Sequence, residues 1–547
     1  MRTRLSARDG ERLHQAREAH LNGDLRAAQM VYARLHRKYP RNEDVKSLLA
    51  VAHLATGKPA EALPMLRGLV QVRPNDADLH YNLGVAHAAL EHWEAAASAY
   101  RQAIAVDADH PRAYYNLGVA LRALGRHEDA LAALRRDYAL SPGLDTCRLL
   151  RESSAEVGED AHALQFADAA VALEGAAADD LHRLVDLCYQ ASAAAASVSA
   201  EDLETLIALG EQAVRLSPSS PTALMLGARA YTQAGQFRCA LPLLETAVQI
   251  QPDDAALRTL YGVTLCTVGE IEEGWRQRTW LDRAAHPTNE HGVPRWCGQD
   301  EPGARVLVTC EQGVGDQVLY ARLLPELVKR NLDVTFQCDA RLVDLLARSF
   351  PEIAVTADIP DVGAFDCFLP LGELHLYTDL SARAKLVPDA DRVAKLKAAL
   401  PSGRNVGLSW LSHSGANGAS KSLNADELAQ LLELPGINWV DLQYGGGEPA
   451  AGLHDAGVDL TDDLDGLAAL VAALDGVVTV SNATAHVAAA AGADTHVLVG
   501  QRPVWHWLDH GQTVPWYPNA HLHRQVNLQG WLEPIAEIAD ELQGRCS

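Results

Sequence analysis

In the first half of the chain, small and apolar residues return in a fixed register. Small residues stand at Ala16, Ala50, Gly84 and Gly118, each 34 positions after the last. Twelve positions beyond each lies an alanine (Ala28, Ala62, Ala96, Ala130), and twelve beyond those come Pro40, Pro74, Ala108 and Pro142. The register returns at Ala228, Ala240 and Pro252, then at Gly262, while Gly57, Gly125, Gly235 and Gly269 fall between the first two landmarks. The pattern predicts one helical hairpin per period. Small residues mark the close crossing of its helices, glycine the turn between them, and proline the stop after the second. A single hairpin cannot bury its apolar face, so neighbours must stack. The register slips between Leu144 and Pro218, where Glu174–Asp180 and Ser192–Ser199 read as irregular or inserted. The array is expected over residues 9–283, with six regular units and two degenerate ones.

The pattern then changes. Residues 284–303 are rich in proline, glycine and polar side chains and read as a linker. Short β-branched runs follow at Arg305–Cys310, Val334–Cys338, Ala354–Thr356 and Phe365–Leu369, with a helix expected over Gln317–Arg330. The alternation restarts at Val406–Trp410. Strands at Asn438–Leu442, Val477–Val480 and Thr495–Val499 alternate with helices at Asp426–Leu432, Leu464–Leu474 and Thr484–Ala491. Buried runs alternating with helices predict parallel sheets covered on both faces. Two α/β units are expected, over 304–403 and 404–547, the second closing with a C-terminal helix, with ligands beyond the carboxyl ends of their strands.

Composition narrows the partners. Of 547 residues, 48% are hydrophobic and 22% charged, as in a folded chain, and acidic residues outnumber basic ones by 24. Nucleic acid and anionic membrane surfaces both select a basic footprint, so neither is expected as the main partner. Nine scattered cysteines without a CxxC argue against a disulfide scaffold or zinc ribbon and for a reducing compartment. No secretory signal or clean membrane span is apparent, so a cytoplasmic location is expected.

Four segments could carry chemistry. In Glu311–Gln317, Gly313 and Gly315 allow a tight turn, and Asp316 is either a helix N-cap or a general base. The loop after Val406–Trp410 holds Ser412, His413, Ser414, Asn417, Ser420, Lys421 and Ser422, donors suited to phosphate or an ordinary surface loop. Ser481–His486 enters an alanine-rich helix whose N-terminus favours an anion; Ser481, Asn482 and Thr484 add donors, and His486 faces the anion or packs structurally. Trp505, His506, Trp507 and Pro515–Pro518 either stack on a ligand or fill the core. In the array, Asn82 and Asn116 occupy equivalent places and could pair with the backbone of an extended peptide or be simply solvated. No carboxylate cluster with metal-ligand spacing is visible along the chain.

The 34-residue pattern, with YNLG at Tyr81 and again at Tyr115, resembles the tetratricopeptide repeat. From about Arg305 onward the chain resembles glycosyltransferase family 9, the heptosyltransferase-like group. The resemblance rests on the GxGD turn, the VGLSW strand with its lysine-containing loop, LQYG at Leu442–Gly445, the block beginning at Asp463 and the WYP tail. Together these imply an α-solenoid followed by an α/β GT-B fold of two Rossmann-like units. The architecture is like that of bacterial protein O-glycosyltransferases. The resemblance further implies an inverting, metal-independent transferase that uses a nucleotide sugar as co-substrate and no cofactor. Asp316 takes the place of the base. Gly313, Gly315, Ser412, Lys421, Gln443, Ser481, Asn482, Thr484 and His486 take the places of donor-binding residues. Ser481 departs from the acidic residue that heptosyltransferases usually have there. The array, through Asn82 and Asn116, would present a protein acceptor, such as flagellin. Two alternatives stand beside this reading: a lipopolysaccharide or other saccharide acceptor, and a repeat adaptor whose transferase domain has decayed.

Overall fold

The structure is a computed structural model. It describes residues 4–544 except 174–176, 195–197, 286–287, 289–291, 300, 311–312, 359–360, 380–381, 383, 414–417, 446–450 and 526–529. The chain forms two compact units, Met1–Leu187 and Cys188–Ser547.

Among the described residues, sixteen α-helices precede the first strand, from Ala7–Leu21 to Ile271–Ala285, and all but Ala178–Ala194 and Ala200–Leu216 pair with a sequence neighbour as helical hairpins. The periodic landmarks explain the pairing. Ala28, Ala62, Ala96, Ala130 and Ala240 are fully buried between helices. A Cβ on Gly84 would lie 2.5 Å from the Tyr100 ring, and one on Gly118 would lie 2.5 Å from Leu134. Only glycine lets those large side chains rest on the backbone of the facing helix. The turn residues Gly125 and Gly235 have φ of +70° and +74°, where a side chain is strained. Asp24, Asn42, Asp76 and Asp254 cap their helices by accepting a first-turn N–H. The expected irregular segments fall partly outside the described residues; Ser199 caps the helix Ala200–Leu216.

The second unit begins inside the array. Its last hairpin, Ala255–Thr267 and Ile271–Ala285, shares one apolar core with the sheet that follows. Cys266, Ile271 and Trp275 are buried with Val306, Val308 and Tyr320. The Trp275 ring lies 4.3 Å from His375 and 5.9 Å from both Tyr320 and Trp505, centroid to centroid. Polar contacts reinforce the join: Asp509 N donates to Thr267 O at 2.8 Å, and Gln501 Nε2 donates to Ala234 O at 3.2 Å. The compact units therefore part near residue 187, not at the linker expected over 284–303, because apolar burial runs across that linker. Part of the linker is itself sheet-bound: Trp296 N donates to Phe368 O, and Phe368 N donates to Pro294 O.

Two parallel sheets follow. The first comprises β1 (Arg305–Thr309), β2 (Asp333–Gln337), β3 (Ala354–Thr356) and β4 (Cys367–Pro370), in the order β3-β2-β1-β4. The second comprises β5 (Arg404–Ser409), β6 (Ile437–Asp441), β7 (Gly476–Val480), β8 (Thr495–Val499) and β9 (Ala520–Arg524), in the order β6-β5-β7-β8-β9. β7 and β8 are buried at every position, as strands covered on both faces must be.

Two elements differ from expectation. The helix expected over Gln317–Arg330 is two helices, Val314–Ala321 and Leu324–Lys329, because Pro325 has no N–H to continue the first and instead opens the second. β9 was not anticipated at all. The two halves are also interleaved. The helix Ala390–Ala399, before the expected boundary at 404, packs on Leu464–Ala473 of the second half through Arg392 and Asp463. Arg348 reaches across from the first half to Asp465.

The last hairpin offers a direct check on this core. A Cβ on Gly262 would strike the Gly274 carbonyl and come within 3.0 Å of the Arg278 backbone nitrogen. Gly262→Ala is expected to destabilise the second unit by about 1–3 kcal/mol, read as a lower denaturant midpoint. An unchanged midpoint would contradict the close crossing.

Candidate functional site

Strand order reverses beside β1 in the first sheet and beside β5 in the second. In open α/β sheets, ligands enter at such points, beyond the strand ends. The turn after β1 leads through Gly313, which N-caps the helix Val314–Ala321. A Cβ on Gly315 would lie 2.9 Å from His486 Cδ2 and 3.6 Å from Ala483 Cα. This glycine therefore brings the first helix of one half against the helix Ala483–Ala491 of the other. The strand-end segments around Gly315 and Asn482 thus pack against one another at the junction of the two halves.

Asp316 follows Gly315 and is half-buried. Burial raises its carboxyl pKa above the ordinary value, while the positive charges of Arg278 and Lys421 pull it back down. Lys421 shows the converse: burial lowers its ammonium pKa, and Asp316 opposes the shift. An acid from the first half, a base from the second and an arginine from the last repeat helix thus act on one another at this point. Arg278 is held by stacking its guanidinium over Trp275, 4.1 Å from the ring centroid.

The loop carrying Lys421 is fastened from beneath. Ser412 N donates to Ser422 Oγ at 3.0 Å, and Ser422 Oγ donates to Gly418 O at 2.8 Å. A Cβ on Gly418 would collide with the Ser412 carbonyl, so the loop closes tightly on itself. Gln443 latches the end of β5: its Oε1 accepts from Trp410 N at 3.1 Å and Leu411 N at 2.8 Å, and its Nε2 donates to Tyr444 O at 3.0 Å. Ser414 and Asn417 lie outside the described residues.

At the end of β7, Asn482 caps the Ala483 helix, its Oδ1 accepting from Ala485 N at 3.3 Å and from Thr479 Oγ1 at 3.1 Å. Its Nδ2 donates to Ser409 Oγ at 2.8 Å and Leu411 O at 3.1 Å. Ser481 Oγ accepts from Trp507 Nε1 at 2.9 Å. Gln443, Ser481 and Asn482, read from sequence as donor contacts, therefore spend these side-chain bonds on holding the strand ends and the helix start in place. Thr484 differs: its hydroxyl is fully buried on the first turn of the helix and has no hydrogen-bond partner among the described residues.

His486 is buried behind this turn. Its Nδ1 pairs with Tyr517 Oη at 3.2 Å and its Nε2 with His506 Nε2 at 3.1 Å, and its ring stacks on Trp507 at 5.1 Å. Burial, helped by the charge of Lys421, lowers its pKa to about 3, so the ring is neutral at pH 7. The aromatic tail is mostly core: Trp507, Trp516 and Tyr517 are buried, and only Trp505 is partly exposed. Burial on this scale removes those three as stacking surfaces for a ligand.

Asn82 and Asn116 belong to the first compact unit and are half-buried. Asn116 Nδ2 donates to Tyr81 Oη at 2.9 Å, tying successive repeats together. One donor of the expected ladder is therefore committed inside the array. Arg278 is the residue acting on Asp316 that sequence reasoning missed. Its one local signal is the spacing of three from Trp275, which a charged position on a repeat helix does not make conspicuous.

Comparisons with known proteins bear mainly on the array. Two family models, both described as tetratricopeptide repeat, match residues 19–83 and 81–145. Protein FlbA from Caulobacter vibrioides is 30% identical over 386 residues, which is 61% of this chain and 63% of that protein. The match thus spans a little under two thirds of its relative. It is longer than the helical array and must run into the α/β half. Solved structures similar to the chain include MamA (24% identity over 28% of this chain and 92% of that one, TM-score 0.27). A tetratricopeptide repeat protein from Parabacteroides merdae matches at 14% identity over 47% of this chain and 100% of that one, with TM-score 0.31. The first half of the chain is a solenoid of tetratricopeptide repeats, and an α/β region with parallel sheets follows it. No described helix is long and apolar enough to cross a membrane.

The buried histidines predict a pH response. The folded pKa values of His486 and His506 are depressed by burial. The unfolded chain therefore takes up protons that the folded chain refuses. Stability is complete above about pH 6.5 and falls as pH drops below it, by up to about 1.4 kcal/mol per pH unit for each histidine. Urea midpoints at pH 7.5 and 5.5 should show the loss, and a flat profile would contradict it.

Proposed function

We propose that the α/β half transfers a sugar from a nucleotide-sugar donor to a protein hydroxyl, and that the repeats bind the protein acceptor. The observation that carries the reading is the junction at which Asp316 of one half acts electrostatically on Lys421 of the other, beside the Ala483 helix. Burial raises the pKa of Asp316 and so makes it a stronger base than an exposed carboxylate. It would take the acceptor's proton as the hydroxyl oxygen forms its bond to the anomeric carbon. The bond to the leaving diphosphate breaks on the opposite face, and the anomeric centre inverts.

The leaving diphosphate gains negative charge as that bond breaks. Lys421 and the N-terminal turn of the Ala483 helix stabilise this charge, and Thr484 adds a buried hydroxyl with no partner of its own. Gln443, Ser481 and Asn482 act as positioning residues that hold this surface in shape. Arg278 ties the acidity of Asp316 to the repeat that adjoins it. The tetratricopeptide repeats support a protein partner, since such arrays commonly present peptide-binding surfaces. One feature favours the rival adaptor reading: Ser481, in a place where relatives of the transferase type are usually acidic, is bound to Trp507.

Nucleotide-sugar binding separates the two readings, because an adaptor with a decayed domain binds none. Asp316→Asn is expected to reduce transfer at least 100-fold while leaving donor affinity within a few fold. Lys421→Ala is expected to weaken donor binding about tenfold or more. Near-normal turnover by the first variant removes Asp316 from the base role, and unchanged affinity in the second removes Lys421 from the phosphate.

A further inference from the structure

Away from that junction, the outer strands of the second sheet carry a cluster that no step above uses. His496 on β8 and His521 and His523 on β9 lie on one face, since His496 stands opposite His521 and His523 is two residues further on. The C-terminal helix Leu532–Gly544 packs on β9 and contributes Glu537 and Glu541. His496 is fully buried and His523 nearly so, whereas the Glu537 and Glu541 side chains are 57% and 41% exposed. The glutamates thus run from the surface inward to buried imidazoles.

Hydrogen-bond accounting limits what can sit there. His523 Nδ1 lies 3.3 Å from Glu537 Oε2. With the Glu537 oxygen as acceptor, Nδ1 carries the proton and His523 Nε2 turns a lone pair toward His496. His496 Nδ1 lies 3.1 Å from that nitrogen and 3.4 Å from Glu541 Oε2. The three atoms all fall within 4.8 Å of one another. Metal bonds of about 2.0–2.2 Å in a tetrahedron separate neighbouring ligand atoms by about 3.3–3.5 Å, close to both measured separations.

We propose that His496 Nδ1, His523 Nε2 and a Glu541 carboxylate oxygen form a site for a divalent transition metal of the zinc class. Two imidazoles and one carboxylate are a donor set suited to zinc, with water completing the coordination. Glu537 orients His523 through its far nitrogen, the usual carboxylate–histidine arrangement around a metal. Asp494 flanks the other ring without repeating that bond: its Oδ2 lies 3.9 Å from His496 Nε2, beyond hydrogen-bond distance, while its Oδ1 pairs with His521 Nε2 at 2.9 Å. Ligands from two strands and a helix make this a clamp that pins the C-terminal helix to the sheet. The site is independent of the proposed transfer reaction.

The test uses the full-length protein, stripped with a chelator and then titrated with Zn²⁺ and with Co²⁺. One equivalent should bind. Co²⁺ should give the visible absorption of a four-coordinate centre without a thiolate charge-transfer band, which separates this site from the free cysteines. Zn²⁺ should raise the thermal midpoint by several degrees. His523→Gln places a substitution in the core, so Glu541→Gln, half-exposed and isosteric, is the decisive variant. It should keep the native circular dichroism, lower Zn²⁺ affinity at least tenfold and lose the thermal shift; Glu537→Gln should lower affinity by a smaller factor. Absence of saturable one-equivalent binding, or affinity unchanged by Glu541→Gln, would overturn the proposal and leave a hydrogen-bonded histidine cluster only.

Discussion

The packing of Trp275 against Tyr320, His375 and Trp505 is the contact on which the second unit depends. A tryptophan on a repeat helix has no apolar surroundings of its own, and here it finds them in the core around β1. Burying an indole contributes several kcal/mol, enough to make the last hairpin part of the α/β body. Arg278 lies one turn further along the same helix, stacked on that indole, and so its charge reaches Asp316. Through this one aromatic contact the last repeat hairpin acquires an electrostatic influence on Asp316.

The junction of the two halves is built on a conflict between burial and charge. Asp316 and Lys421 are both shielded enough from water to be pushed toward their neutral forms, and each is drawn back by the other. Such a pair is responsive, because a bound anion or a displaced water shifts the balance more than it would at an exposed surface. The surrounding amides and hydroxyls keep the pair in place. Gln443 and Asn482 together satisfy backbone groups at the ends of β5 and β6 and on the first turn of the Ala483 helix.

Much of the fold was legible because its causes are local. Alanines at crossings, glycines at turns and prolines after helix ends are steric requirements, and they leave a period that can be read from residue types alone. The strands β3 and β8 coincide with the expected runs for the same reason, since β-branched runs bounded by turn residues have few other options. β9 was hidden by composition: histidines at 521 and 523 do not read as a strand until the sheet supplies its edge. Tertiary facts were not legible. The role of Arg278 depends on which helix packs on which sheet. The cluster of His496, His523 and Glu541 draws its members from three elements separated by as much as 45 residues of chain. The donors at Ser481 and Asn482 were recognised as polar strand-end groups, but only the folded geometry reveals that their bonds point inward.

Because the compact units part near residue 187 and not at the proline-rich segment after the array, the repeats are not a detachable cassette. Grafting a different recognition module at residue 284 would cut away the hairpin that carries Trp275 and Arg278 and leave the sheet with a raw apolar wound. A chimera that respects the molecule's own seams would keep the helix that spans that boundary, Ala178–Ala194, whole together with everything after it, treating the final repeats as part of the chassis and only the earlier ones as interchangeable tooling.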